Sequence, residues 1–177
     1  MVILDFFKNA LNLKNISRQG WIDKLSMEHP ESVADHSYSM AIMGMVISDL
    51  ENYDSKKMLK MILLHDLAES KIGDYTPNQI SKENKIKIEN NAYDEIINTL
   101  PDAIKLQYGK IWEEYQKQES PESIIVHQID KLEMVLQAKM YQEEGAPTET
   151  VESFFKSAES GITHPKLKEI LNQILQD

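Results

Sequence analysis

Apolar residues return at intervals of three and four almost from one end of the chain to the other, and no stretch alternates apolar with polar long enough for a strand. The predicted fold class is therefore all-α. A first helix is expected over about Ile3 to Leu13, followed by an unpatterned segment, Asn15 to Pro30, that reads as a loop carrying Arg18 and Trp21. Ser32-Val33-Ala34-Asp35 has the form of a capping box and predicts a helix start, after which His36, Met40, Met43, Ile47 and Leu50 share one face. Ser55 is expected to cap the next helix, in which Met58, Ile62, His65 and Glu69 follow one another until Gly73 stops it. Gly73 to Asn78 is a turn cluster. Ser81 to Leu100 and Asp102 to Gln118 read as exposed, peripheral amphipathic helices separated at Pro101. Ser120-Pro121-Glu122 opens a long helix with Ile125, Ile129, Leu132 and Leu136 inward, ending at Gly145-Ala146-Pro147. Two shorter helices follow, one before Gly161 and one after His164-Pro165. At 177 residues with only 6 Gly and 6 Pro, the chain predicts one domain over 1–177, and its composition argues against a turn-rich β-sandwich and excludes a collagen-like or linker-like chain.

The sequence has no cysteine, which excludes disulfides, thiolate metal sites and cysteine nucleophiles. Any metal must be held by His, Asp and Glu. With 19 basic against 29 acidic residues the net charge is -10, a field that repels a nucleic-acid backbone but does not exclude a small phosphorylated molecule met by a few cations in a pocket. No apolar run approaches the roughly 18 to 20 residues of a membrane span. The opening Met1 to Lys8 is interrupted by Asp5 and lacks a basic leader, so a cytoplasmic protein is expected.

The sharpest local feature is His65-Asp66, closing the apolar segment Met61 to Leu64. A buried Asp is paired or bound to a metal, so this dipeptide either hydrogen-bonds neighbouring helices or begins a metal site. His36 heads another core-facing stripe, Glu69 stands one turn beyond His65, and Asp130 interrupts the apolar pattern of the long helix. Singly these read as a hydrogen-bonded core histidine, a solvated glutamate and half of an ion pair with Lys131. Together they supply two imidazoles and carboxylates suited to one divalent first-row metal. His127 precedes Asp130 on the same face and reads as a surface or core histidine or as a support for that carboxylate. His29 and His164 precede prolines and belong to turns, Lys71 reads as exposed, Trp112 and Tyr115 as packing, and the nine Met residues as core filler.

These residues reproduce the H...HD...D pattern of the HD-superfamily metal phosphohydrolases. The blocks Glu31 to Ser37, His65-Asp66-Leu67-Ala68-Glu69 and Gly73-Asp74-Tyr75-Thr76-Pro77, with Trp112 to Tyr115 and Asp130 to Met134, resemble the 5'-deoxynucleotidase branch and its relatives of the HD domain-containing protein 2 type. The likeness spans about Arg18 to Gln142, with the residues after Pro147 expected to pack on that core. It implies a helical bundle with a central divalent metal (Mn, Co, Fe, Ni or Zn) on His36, His65, Asp66 and Asp130. It implies release of phosphate from deoxyribonucleoside 5'-monophosphates, with Glu69 as the catalytic acidic residue and Arg18 orienting the phosphate. Trp21, Asp74, Thr76 and Pro77 fall where the family meets its substrate, and a homodimer is expected. One departure stands out: in the bacterial enzymes the arginine is followed directly by tryptophan, whereas here Gln19 and Gly20 lie between Arg18 and Trp21. Two alternatives stay open, another HD phosphohydrolase acting on a cyclic nucleotide, a triphosphate or an alarmone, and a non-catalytic HD module that binds metal or nucleotide.

Overall fold

A computed structural model describes residues 2–176; Met1 and Asp177, the ends of the expected domain, lie outside the described residues. Among the described residues ten α-helices make up the frame: α1 (Val2–Asn12), α2 (Gln19–Leu25), α3 (Val33–Glu51), α4 (Ser55–Leu64), α5 (Glu69–Ile72), α6 (Lys82–Ile97), α7 (Asp102–Lys117), α8 (Pro121–Glu143), α9 (Thr148–Gly161) and α10 (Pro165–Gln176). Leu13–Asn15 adds one turn of 3₁₀ helix, and there is no strand among the described residues.

The long helix α8 is the axle. Ser120 caps it by accepting the Ser123 N–H and Pro121 occupies its first turn, so its start is fixed by local chemistry. Helices α3, α4, α7, α9 and α10 all lie against it. Ile125, Ile129 and Leu132 are buried as expected, but Leu136 is exposed. Beyond Leu132 the buried positions become Val135, Ala138 and Tyr141. Steps of three on a 3.6-residue helix drift around its surface, and this drift turns the apolar face of α8 toward α9.

Helix α3 begins as its sequence requires. Ser32 Oγ accepts the Asp35 N–H at 3.2 Å while Asp35 Oδ2 accepts the Ser32 N–H at 2.9 Å, a complete capping box. His36, Met40 and Ile47 are buried, whereas Leu50, in the last turn, is exposed. Gly44 lets α3 and α4 approach, since a Cβ there would collide with the Ile62 side chain.

Several expectations are corrected. The segment from Asn15 to Pro30 is not one loop but contains α2, whose first N–H is capped by a residue far along the chain: Gln19 N–H donates to Asp74 Oδ2 at 2.9 Å. Asp54, not Ser55, caps α4 by accepting the Lys57 N–H at 3.0 Å. Helix α4 stops at Leu64, and His65 to Ala68 form tight turns with N–H bonds reaching back three residues, so His65 and Glu69 are not on one continuous helix. Helices α6 and α7 are not merely peripheral, because Tyr93, Ile96, Trp112 and Tyr115 are buried. The methionines divide, with Met40, Met58 and Met61 in the core and Met45 and Met140 exposed.

Trp21 anchors a second, smaller apolar cluster with Ala138, Tyr141, Val151 and Phe154. Its ring lies 4.3 Å from Phe154 and 5.2 Å from Tyr141, centroid to centroid, which fixes α2 on α8 and α9. A short helix of seven residues has little stability of its own. It holds its place through Trp21 and the distant Asp74 cap, and it carries Arg18 at its entry.

Candidate metal centre

The first turn of α3, the turn after α4 and the middle of α8 meet at one point. There His36 and His65 are buried and Asp66 and Asp130 are half-buried. Each imidazole is oriented from behind. His36 Nδ1–H donates to Glu133 Oε2 at 2.6 Å, and His65 Nδ1–H donates to the Ile62 carbonyl, also at 2.6 Å. A carbonyl and a carboxylate can only accept, so each ring, when neutral, presents a bare Nε2 lone pair to the other side. Both Nε2 atoms are buried and have no hydrogen-bond partner.

Those lone pairs face carboxylates. Asp66 Oδ2 is 3.0 Å from His65 Nε2 and 3.9 Å from His36 Nε2, and Asp130 Oδ1 is 3.4 Å from His36 Nε2. Donor atoms of His36, His65 and Asp66 all lie within 4.8 Å of one another. Two orphaned imidazole nitrogens aimed at two carboxylates are costly unless a cation, or a proton, stands between them. The donor set fits a divalent first-row metal. A second acidic group, Glu31 with His36 and Glu133, lies behind the ring. Its geometry is supportive, since Glu133 takes the His36 N–H and Glu31 Oε1 takes the Trp21 indole N–H at 2.8 Å.

The charges of the site hold one another. Burial alone raises an Asp pKa, yet the neighbouring His65, Arg18 and His36 keep Asp66 well below the usual range. Asp130 is likewise held down at about 2: burial opposes this, but the nearby charges of His36, Arg18 and His65 outweigh it. Burial and the Arg18 charge lower the His36 pKa, but Asp130 and Glu133 carry it up to about 9. Glu69 is the opposite case. It is 2% exposed, its Oε2 has no hydrogen-bond partner, and burial together with Asp66 and Asp74 pushes its pKa well above the ordinary carboxylate value.

Two cavities open beside this cluster. The first, about 270 Å³, is lined by His65, Asp66, Glu69, His127 and Asp130. The second, about 460 Å³, is walled by Trp21, Thr76, Pro77, Met134 and Phe154. Arg18, Asp74 and Lys85 line both. Arg18 Nη1 is 3.4 Å from Asp66 Oδ2, and its Nε is 3.9 Å from Glu31 Oε1.

The residues expected from the resemblance to bind metal, act in catalysis or meet substrate therefore line the two cavities or belong to the cluster beside them. Trp21 does so with a qualification: only 2% of it is exposed and its N–H is spent on Glu31, so it offers a ligand no more than the edge of a wall. Asp74 spends one oxygen on the α2 cap, and Thr76 Oγ1 donates to Asp23 Oδ2 at 2.9 Å. His127 donates from Nε2 to the Tyr115 carbonyl at 3.0 Å and stacks on the Tyr115 ring, so it is a wall of the first cavity. Trp112 packs on Tyr93, and Lys71 pairs with Glu95 at the surface, as expected. His29 sits in an exposed bend, while His164 precedes α10 with its Nε2 3.7 Å from Glu51. Sequence reasoning missed Lys85 and Glu89, and it gave no role to Glu31 and Glu133, which stand in blocks that carry the resemblance. The first two were hidden in α6, a helix read as surface. Glu133 had one usable signal, its position three residues after Asp130 on an otherwise apolar face.

Comparison with known proteins places these features among relatives. The HD domain family pattern matches residues 10–171. The chain is 39% identical to a Dictyostelium discoideum protein named 5'-deoxynucleotidase HDDC2, over 98% of this chain and 97% of that one. It is 34% identical to the Homo sapiens protein of the same name, over 97% of this chain and 84% of that one. A solved structure of a Pyrococcus horikoshii protein superimposes with a TM-score of 0.82 at 30% identity, covering 97% of each chain. The resemblance drawn from the motifs is borne out.

Proposed function

The chain belongs to the HD domain family, and from that premise we propose that it is a metal-dependent phosphomonoesterase releasing inorganic phosphate from deoxyribonucleoside 5'-monophosphates. The observation that carries this reading is the pair of orphaned, buried Nε2 atoms of His36 and His65 facing Asp66 and Asp130, with Glu69 and Arg18 lining the cavity beside them. Relatives named 5'-deoxynucleotidase that match nearly the whole chain supply the substrate class.

In this reading His36, His65, Asp66 and Asp130 hold one divalent ion. When bound, it supplies charge to a phosphoryl oxygen and makes water a better nucleophile near neutral pH. The chain's own groups do the rest. Arg18 offers a planar fork to the phosphate dianion from the wall that both cavities share. Glu69 has an unpartnered Oε2 in the first cavity and a raised proton affinity, the properties of a group that accepts a proton from an attacking water. With phosphate beside Arg18, the sugar and base extend into the 460 Å³ cavity against Thr76, Pro77 and the edge of Trp21.

The test is phosphate release from ribo- and deoxyribonucleoside monophosphates by protein stripped with chelator and reloaded with Mn, Co, Fe, Ni or Zn singly. Glu69→Gln keeps the shape and loses the proton acceptor, so its kcat is expected to fall about 10²- to 10⁴-fold with metal content unchanged. A variant releasing phosphate at the parental rate removes Glu69 from the mechanism.

A homodimer and a cytoplasmic location belong to the same reading. Tyr38, Ile42, Met45 and Val46 form an exposed apolar stripe on α3, supporting a second copy as its cover. Light scattering reads the mass directly, and cell fractionation the location.

A further inference from the structure

The segment from Gly73 to Asn78 is fastened along both edges. On one edge Asp74 accepts the Gln19 N–H and Thr76 donates to Asp23, tying the segment to α2 and so to Arg18. On the other edge a single side chain from α6 does the fastening. Lys85 Nζ donates to the Tyr75 carbonyl at 2.9 Å and stands 3.5 Å from Glu69 Oε1, 3.8 Å from Asp74 Oδ1 and 3.5 Å from Glu89 Oε1. The only one of these contacts at hydrogen-bond length goes to the backbone of the segment, and the three carboxylates surround the ammonium beyond that range. Their charges keep it from leaving, while the hydrogen bond decides what it grips.

We propose that Lys85 is a positioning residue of the reaction, a cation that locks the Asp74-to-Pro77 wall of the second cavity in register with Glu69 in the first. The inference rests on the phosphomonoesterase reading. Gly73, at φ +82°, turns the chain out of α5 four residues after Glu69, a left-handed conformation that glycine takes without strain. Lys85 spans this turn, with Glu69 before it and Asp74 and Tyr75 after it. The ammonium therefore sets the distance between the proton acceptor and the surface that meets the nucleoside. A residue acting this way alters recognition of the whole nucleotide more than recognition of phosphate.

The experiment compares the metal-loaded full chain with Lys85→Met and Lys85→Arg, measuring kcat and KM for a deoxynucleoside 5'-monophosphate and the inhibition constant of inorganic phosphate. Loss of one charge-assisted hydrogen bond predicts a KM raised roughly tenfold in Lys85→Met. The phosphate inhibition constant stays within about twofold, and hydrogen exchange of the 74–78 amides quickens. Lys85→Arg, which keeps the charge and can still donate to Tyr75, restores KM to within about threefold. A Lys85→Met KM within about twofold of wild type overturns the proposal. So does a parallel rise of KM and the phosphate constant, which makes Lys85 a direct phosphate contact. If Lys85→Met does not fold, Lys85→Arg carries the test alone, and a tenfold rise in its KM overturns the proposal. A wild-type protein inactive on every nucleotide with every metal refutes the underlying reading instead, so the two failures are distinct.

Discussion

Protons and metal compete for the same nitrogen of His36, and the structure sets the size of that competition. In protein stripped of metal the ring gives Nδ1–H to Glu133 at 2.6 Å and has Nε2 3.4 Å from Asp130. Burial and Arg18 oppose protonation, but the two carboxylates prevail and the pKa rises to about 9. At pH 7, well below that value, only a small fraction of molecules, on the order of one in a hundred, offers a free lone pair, an affinity penalty of roughly 3 kcal/mol. Raising the pH from about 6 to about 8 removes this penalty at close to tenfold per unit, so the dissociation constant is expected to tighten about 100-fold. Chelator competition with a buffered first-row metal, followed across that range, measures it. Replacing the anion behind the ring, Glu133→Gln, lowers the proton affinity of His36 and flattens the slope. An affinity that changes less than about threefold between those pH values refutes the proton competition argued from Asp130 and Glu133.

The same groups predict how metal-free protein responds to pH. A histidine with a raised folded-state pKa stabilises fully below its unfolded value near 6.5, and that contribution is lost as pH climbs through about 9. Glu31, lifted to about 7 by burial and by Glu133, acts in the same direction, because its ionisation is harder in the folded protein than in the unfolded chain. The melting temperature of metal-free protein is therefore expected to fall from about pH 5 to about pH 9, and a rise over that range contradicts these assignments. Trp21→Phe keeps most of the ring packing on Tyr141 and Phe154 but removes the N–H that Glu31 accepts. It should cost about 1 to 3 kcal/mol in denaturant unfolding, and an unchanged midpoint shows that Glu31 finds another donor.

What could be read from the amino-acid order was what local chemistry decides. The Ser32 capping box and the Ser120-Pro121 start fix two of the three elements that meet at the metal cluster, so the positions of His36 and Asp130 were legible. The third, His65-Asp66, was legible as a motif and misread as structure. Apolar spacing continues through a helix end when the next turn is also buried, and nothing in Met61 to Glu69 says that α4 stops at Leu64. The break matters for chemistry. Tight turns re-aim Asp66 toward both imidazoles and bring Glu69 into the first cavity. Helix α2 was invisible for a different reason, since the oxygen that caps it belongs to Asp74 and its anchor, Trp21, is held by Phe154 and Tyr141. Lys85 shows the same limit most plainly. Along the chain it is one charge among many in a polar helix; only in the fold do Glu69, Asp74 and Glu89 gather around it. A ligand set built from rare residue types announces itself in sequence, whereas a cation that works by fastening backbone does so only once distant carboxylates are brought to it.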